Sequence, residues 1–130
     1  MLDHVSLGTE DLARAVAFYD AVLAPLGYVR LRYWPDIAAG YGPANGKPHF
    51  WIGRPVDPGR GAARAGNGTH ICFAAAGRAA VDAFHAAALA AGGRDNGAPG
   101  PRPLYHAHYY GAFCLDLDGH AIEACCHDPE

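Results

Sequence analysis

The chain repeats itself. At a constant offset of 66 residues, His70 falls on His4, Ile71 on Val5, Phe73 on Leu7, Phe84 on Phe18, Leu89 on Leu23 and Gly93 on Gly27. This constrains the fold more than any single motif, because both halves must form the same supersecondary unit. The His, Phe and Gly matches carry the most weight, since alanine-rich helices match one another readily.

The pattern within each half predicts what that unit is. Residues 4–7 alternate, with Val5 and Leu7 on one side and His4 and Ser6 on the other, as in a strand. Asp11 is placed to cap a helix running to about residue 23, with an apolar stripe of Leu12, Val16, Tyr19, Leu23 and Leu26. Pro25 and Gly27 close it. Strands are expected over residues 28–33, weakly over 37–41, and over 49–53. After a Gly-, Pro- and Arg-rich connection the pattern restarts: strand 69–74, helix 78–91 ended by Gly92 and Gly93, then a long loop bearing Pro99, Pro101 and Pro103. A strand over 109–115, a hairpin turn at Asp116-Leu117-Asp118-Gly119 and a last strand over 121–126 complete it. The expected organisation is one α+β domain: module one about 1–54, a connection about 55–67, module two about 68–127.

Composition narrows the function classes. Hydrophobic residues at 51% and charged residues at 18% supply a core and argue against disorder. A formal charge of −3 with ten scattered Lys and Arg offers no basic stripe, so nucleic acid is not an expected partner. No apolar run approaches the roughly 18 residues of a membrane span. The first residues resemble no signal peptide, so a cytoplasmic location is expected. The connection's glycines lack the spacing of a phosphate cradle. Cys72, Cys114, Cys125 and Cys126 lie in apolar segments without a C-x-x-C pair, and are read as buried reduced thiols.

Strand alternation then locates the chemistry. If Val5, Leu7, Ile71 and Phe73 pack beneath the helices, His4, Ser6, His70 and Cys72 face the other way. On the last strand Ile122 and Ala124 point to the core, and Ala121, Glu123 and Cys125 away from it. A carboxylate on an apolar strand is costly without a cation or an arginine partner. Two imidazoles related by the repeat, His4 and His70, together with Glu123, make a competent site for one divalent ion of the first transition row (Fe, Mn, Zn and Ni fit equally) and leave positions for water, substrate or dioxygen.

The segments DHVSLGTEDLARAVAFYDAVLAPLGY, GTHICF and AFCLDLDGHAIEA resemble the vicinal oxygen chelate superfamily, which includes glyoxalase I, extradiol dioxygenases, fosfomycin-resistance enzymes and metal-free bleomycin-binding proteins. The resemblance implies paired βαβββ modules forming an open, U-shaped mixed sheet round a ligand cleft, helices outside, and usually a homodimer. By position it assigns the metal-binding histidines to His4 and His70 and the last-strand glutamate to Glu123. Where glyoxalase I has a fourth ligand, a glutamate, this chain has Trp51, and an indole cannot ligate a metal. A glutathione-dependent isomerase of that type is therefore not expected, while an enzyme using three ligands is.

Trp51 is expected instead as an aromatic wall of the cleft, with His49 on the same face. The loop of Tyr105, His106, His108, Tyr109 and Tyr110 is rich in groups that donate, accept or shuttle protons. His49, His106 and Tyr109 are the candidate proton carriers, and Trp51, Tyr105, His108 and Tyr110 the candidate substrate contacts. His85 and His127 read as structural or exposed. The function expected is a metal-dependent lyase, isomerase or dioxygenase acting on a small oxygen-bearing substrate. The alternative is a metal-free protein of bleomycin-resistance type, stacking an aromatic compound on Trp51 and the tyrosines.

Overall fold

The duplication is visible strand by strand in the computed structural model, which describes residues 1–129. The first module runs β1 (Val5–Gly8), α1 (Leu12–Leu23), β2 (Tyr28–Trp34), β3 (Ala38–Pro43) and β4 (Phe50–Gly53). The second runs β5 (His70–Ala74), α2 (Arg78–Ala90), β6 (Arg94–Pro101), β7 (Tyr110–Leu115) and β8 (Ala121–Cys126). Each forms an open four-stranded mixed sheet, in the orders β1-β4-β3-β2 and β5-β8-β7-β6. In both, the first strand pairs in parallel with the last, and the other pairings are antiparallel. Among the described residues no helix is long and apolar enough to cross a membrane.

Local chemistry accounts for these elements. Asp11 caps α1 by accepting from the Arg14 N–H at 3.0 Å. The stripe of α1 buries Val16, Phe18, Tyr19, Val22 and Leu23, and α2 contributes Val81, Phe84 and Ala88. These meet the inner faces of both sheets, including Tyr41, Phe50 and Ile52 from the first and Phe73, Cys114 and Ile122 from the second. Polar contacts also tie the modules. Tyr19 donates to Asp116 Oδ2 at 2.5 Å in a buried setting, and His120 Nε2 lies 2.7 Å from the Gly8 carbonyl oxygen. The other Asp116 oxygen accepts from the Asp118 and His120 amides, which fixes the β7–β8 turn.

Two features differ from the sequence-based expectation. The proline-rich stretch after α2 is a strand, β6, not a loop. It is an edge strand that pairs with β7 through register shifts at Asp95/Gly97 and Gly97/Gly100. Prolines are tolerated there because an edge strand leaves amide positions without a ladder partner. His85 is buried on α2 with Nε2 2.9 Å from Asp95 Oδ1, a structural role as expected. Cys72 is exposed, whereas Cys114, Cys125 and Cys126 are buried. It sits on edge strand β5 and points away from the helices, with its sulfur partly covered by Cys125.

Candidate functional site

The site lies on the face of the second sheet turned away from α2. Parallel pairing sets Cys72 beside Glu123 and Ala74 beside Cys125, while β7 brings Phe113 beside Glu123 and Gly111 beside Cys125. Alternation places Cys72, Glu123 and Cys125 on one face. Glu123 is 2% exposed, so its carboxylate requires polar partners. It has two. His70 Nε2 lies 3.1 Å from Oε2, and the Tyr109 hydroxyl donates to Oε1 in a short hydrogen bond. Gly111 makes room for the phenol: a Cβ there would stand 3.0 Å from the Tyr109 ring and 3.1 Å from Glu123 Oε1.

Two thiols adjoin this carboxylate. Cys72 Sγ lies 3.4 Å from Cys125 Sγ, and Cys125 Sγ lies 3.6 Å from His127 Nε2. Among the described residues, the one group of three metal-capable side chains whose ligand atoms all lie within 4.8 Å of one another is Cys72, Glu123 and Cys125. Burial of its sulfur, the hydrogen bond with Cys125 and the charge of Glu123 raise the Cys72 thiol far above its ordinary range. Burial and then the Glu123 contact raise the Tyr109 phenol likewise.

Of the predicted metal ligands, the structure brings together His70 and Glu123. His4 shares a cleft of about 650 Å³ with His70, lined also by His49, Phe50, Cys72 and Phe73. Its ring does not join the other two within 4.8 Å; Nδ1 lies 2.8 Å from Asp3 Oδ1. Asp3 organises that rim. Lys47 donates to its second oxygen, and His49 Nδ1 lies 3.2 Å from its carbonyl oxygen. The hydrogen bond from Lys47, then that from His4, lowers the Asp3 carboxyl to about 2.

The predicted substrate contacts divide. Trp51 is half-buried on the outer face of the first sheet, stacked on Trp34 with centroids 5.6 Å apart and planes 4° from parallel. Tyr105 packs edge-on against Tyr109 at 4.8 Å and lines a second hollow with His70 and Phe113. His106 Nε2 lies 2.8 Å from His127 Nδ1, and His108 is exposed, its amide donating to His106 Nδ1. Tyr110 belongs elsewhere: its hydroxyl donates to Asp82 Oδ1 at 2.7 Å, with Arg78 over the ring, because alternation turns residue 110 toward α2. Sequence reasoning missed the grouping of Cys72, Cys125 and His127 near Glu123. The signal for the two thiols was there, since alternation already set both on that face.

Two βαβββ modules, each an open four-stranded mixed sheet, the second carrying a buried carboxylate beside imidazole, phenol and thiol groups, define an α+β protein built by internal repeat. The chain belongs to the Glyoxalase/Bleomycin resistance protein/Dioxygenase superfamily, whose family model matches residues 1–124. It is similar to a glyoxalase/bleomycin resistance protein from Albidiferax ferrireducens T118, with 35% identity, 98% of each chain covered and a TM-score of 0.81. A glyoxalase/bleomycin resistance protein/dioxygenase family enzyme from Burkholderia phytofirmans PsJN shares the fold at 22% identity, 98% coverage of each chain and a TM-score of 0.74. So does a lactoylglutathione lyase from Agrobacterium tumefaciens, at 20% identity, 96% of this chain, 92% of that one and a TM-score of 0.65. No curated protein matches the sequence.

Proposed function

We propose that this chain is a glyoxalase-like, divalent-metal enzyme of lyase, isomerase or dioxygenase type, acting on a small oxygen-bearing substrate in the cleft beside β5 and β8. The observation that carries the reading is Glu123, a buried carboxylate with an imidazole at 3.1 Å from one oxygen and a phenol on the other. The donor chemistry fits a divalent ion, since a carboxylate so buried gains most from a cation. His70 and Glu123 are its ligands from this module, and a bound ion would supply Lewis acidity toward a substrate oxygen. His4, exposed at the cleft rim, is the third member of the set. A homodimer, in which a second copy covers the open sheet, is part of the reading.

The chain's own groups do the rest. Tyr109, with its raised phenol, stays protonated near neutral pH and holds a proton beside Glu123. His106 and His127, in contact with each other, form a second proton relay next to the Tyr109 ring. Trp51 in the equivalent position of the first module argues against a fourth carboxylate ligand and hence against glyoxalase I chemistry.

Elemental analysis of freshly purified protein tests the reading. About one divalent ion per chain is expected, with His70→Ala and Glu123→Gln each losing it; unchanged metal content in both variants would refute the assignment. The parallel stack of Trp34 on Trp51 favours a second reading, metal-free binding of a planar aromatic compound. Metal-free wild-type protein whose tryptophan emission is quenched by such a compound, with no bound ion after purification, would select it.

A further inference from the structure

We propose that the ion held at Glu123 is a thiophilic one of the zinc class, bound by Cys72 Sγ, Cys125 Sγ and a Glu123 carboxylate oxygen, with a fourth position open to water or substrate. This rests on the reading of Glu123 as a metal ligand; the two thiols take the ligand places of His4 and His70, and His70 stays as the imidazole paired with the carboxylate.

The geometry follows from the parallel ladder. Cys72 is level with Glu123, and Cys125 is two residues further along β8 on the same face, so the two sulfurs meet diagonally across one strand pair. Their separation is 3.4 Å. Two sulfurs at the zinc–sulfur distance on a tetrahedral ion stand about 3.8 Å apart, so the thiols need only a few tenths of an ångström of movement. All three ligand atoms already lie within 4.8 Å of one another. Imidazoles flank the group on both sides, His70 against the carboxylate and His127 against Cys125. Three protein ligands with one open position is the arrangement of catalytic zinc sites, and thiolate ligands select zinc over magnesium, calcium or manganese.

The binding step balances: two thiol protons leave to solvent as two metal–sulfur bonds form, with no change of oxidation state. Cys114 and Cys126 lie in the core on the other face, which leaves Cys72 and Cys125 as the pair on the face that carries Glu123.

The test uses the full chain, stripped of metal and kept reduced with a phosphine, and titrated with cadmium and zinc salts. Cadmium should bind one per chain with the ultraviolet sulfur-to-metal charge-transfer band, and X-ray absorption of the zinc-loaded wild type should show two sulfurs in the shell. Cys72→Ser, at an exposed position, should abolish the band's full intensity and weaken cadmium binding by roughly 100-fold or more. His4→Ala should leave both unchanged. Zinc held by nitrogen and oxygen alone, insensitive to Cys72→Ser and lost in His4→Ala, would overturn this inference while upholding the proposed metal enzyme. A wild type that retains neither metal at micromolar concentration would overturn both.

Discussion

Glu123 allows a sharp separation of function from stability. In metal-free protein its buried carboxylate gains one contact from a half-exposed imidazole and one from a partly buried phenol. Replacing a buried ionic group with an apolar side chain of similar volume is commonly neutral or stabilising by 1–4 kcal/mol, provided no charge is left stranded. Here none is, because His70 is half-exposed and water can reach it. Glu123→Met should therefore stabilise the metal-free protein by about 1–2 kcal/mol, near the lower end because the phenol loses its acceptor. Tyr109→Phe should do the opposite and cost about 1–2 kcal/mol, since it takes a charge-assisted donor from a carboxylate that remains buried. In the Glu123→Met background the same Tyr109→Phe change should cost almost nothing. Urea melts followed by circular dichroism, in chelator and at one protein concentration, read these values as midpoint shifts at constant slope. In thermal melts they correspond to roughly 3–5 °C per kcal/mol for a chain of this size. A loss of more than about 1 kcal/mol in Glu123→Met would show that the carboxylate holds the fold together, and the argument for it as a functional group would fail.

Other perturbations probe the frame and the rim. Asp116→Ala removes the acceptor of the buried Tyr19 hydroxyl and of two turn amides, and should cost about 3 kcal/mol in the same melts; a cost under about 1 kcal/mol would mean water replaces it. Gly40→Ala places a Cβ 2.8–2.9 Å from Trp51 ring carbons, so the indole must move. The near-ultraviolet dichroism of the stacked Trp34–Trp51 pair should collapse, with a stability loss of about 1–3 kcal/mol, and an unchanged spectrum would contradict the close packing. Asp3, whose folded value is depressed, adds stability that is present above the ordinary carboxylate range and lost as pH falls through about 2. Carbon-13 NMR should find its midpoint near 2 in the wild type and clearly higher in Lys47→Ala, where the His4 contact alone still lowers it; an ordinary midpoint in the wild type would remove the Lys47 contact from the rim.

Much of the fold was legible because it rests on local signals that the repeat supplies twice. The Asp11 cap, the α1 stripe and the alternation about His4 and His70 each speak for themselves, and the second copy corroborates them. β6 was not legible, because Gly97, Pro99, Gly100 and Pro101 give no period-two signal; it is a strand through its pairing with β7, a long-range fact. The site divides along the same line. That Cys72, Glu123 and Cys125 share a face follows from alternation, but that they share a point depends on which strands are neighbours. The contact of His106 with His127 and the turning of Tyr110 toward Asp82 likewise depend on how the loop before β7 closes over the sheet. Composition and periodicity carry no term for that closure.

The repeat also shows how one scaffold acquires two kinds of surface. The register pairs Ser6 with Trp51 in the first module and Cys72 with Glu123 in the second, so indole and carboxylate occupy equivalent positions. Trp51 lies opposite Gly40 on the neighbouring antiparallel strand, whereas Glu123 lies opposite Phe113 and has Gly111 one non-adjacent pair along, under its contact with Tyr109. In the first module that space admits a flat ring, which stacks on Trp34 and presents an apolar wall. In the second it admits a phenol, which reaches over the glycine to the carboxylate. Both contacts need a residue without a side chain nearby, directly opposite Trp51 in the first module and opposite Cys125, on the same face as Glu123, in the second. What differs is a few side chains whose burial has opposite consequences: the indole gains from being covered, whereas the carboxylate gains from being covered only when a cation or donor comes with it. Exchanging them would therefore not be symmetrical. Trp51→Glu would set a carboxylate against Trp34, while His4, the match to His70 in the repeat, is engaged with Asp3; it should therefore lower the melting temperature without creating a second ion site.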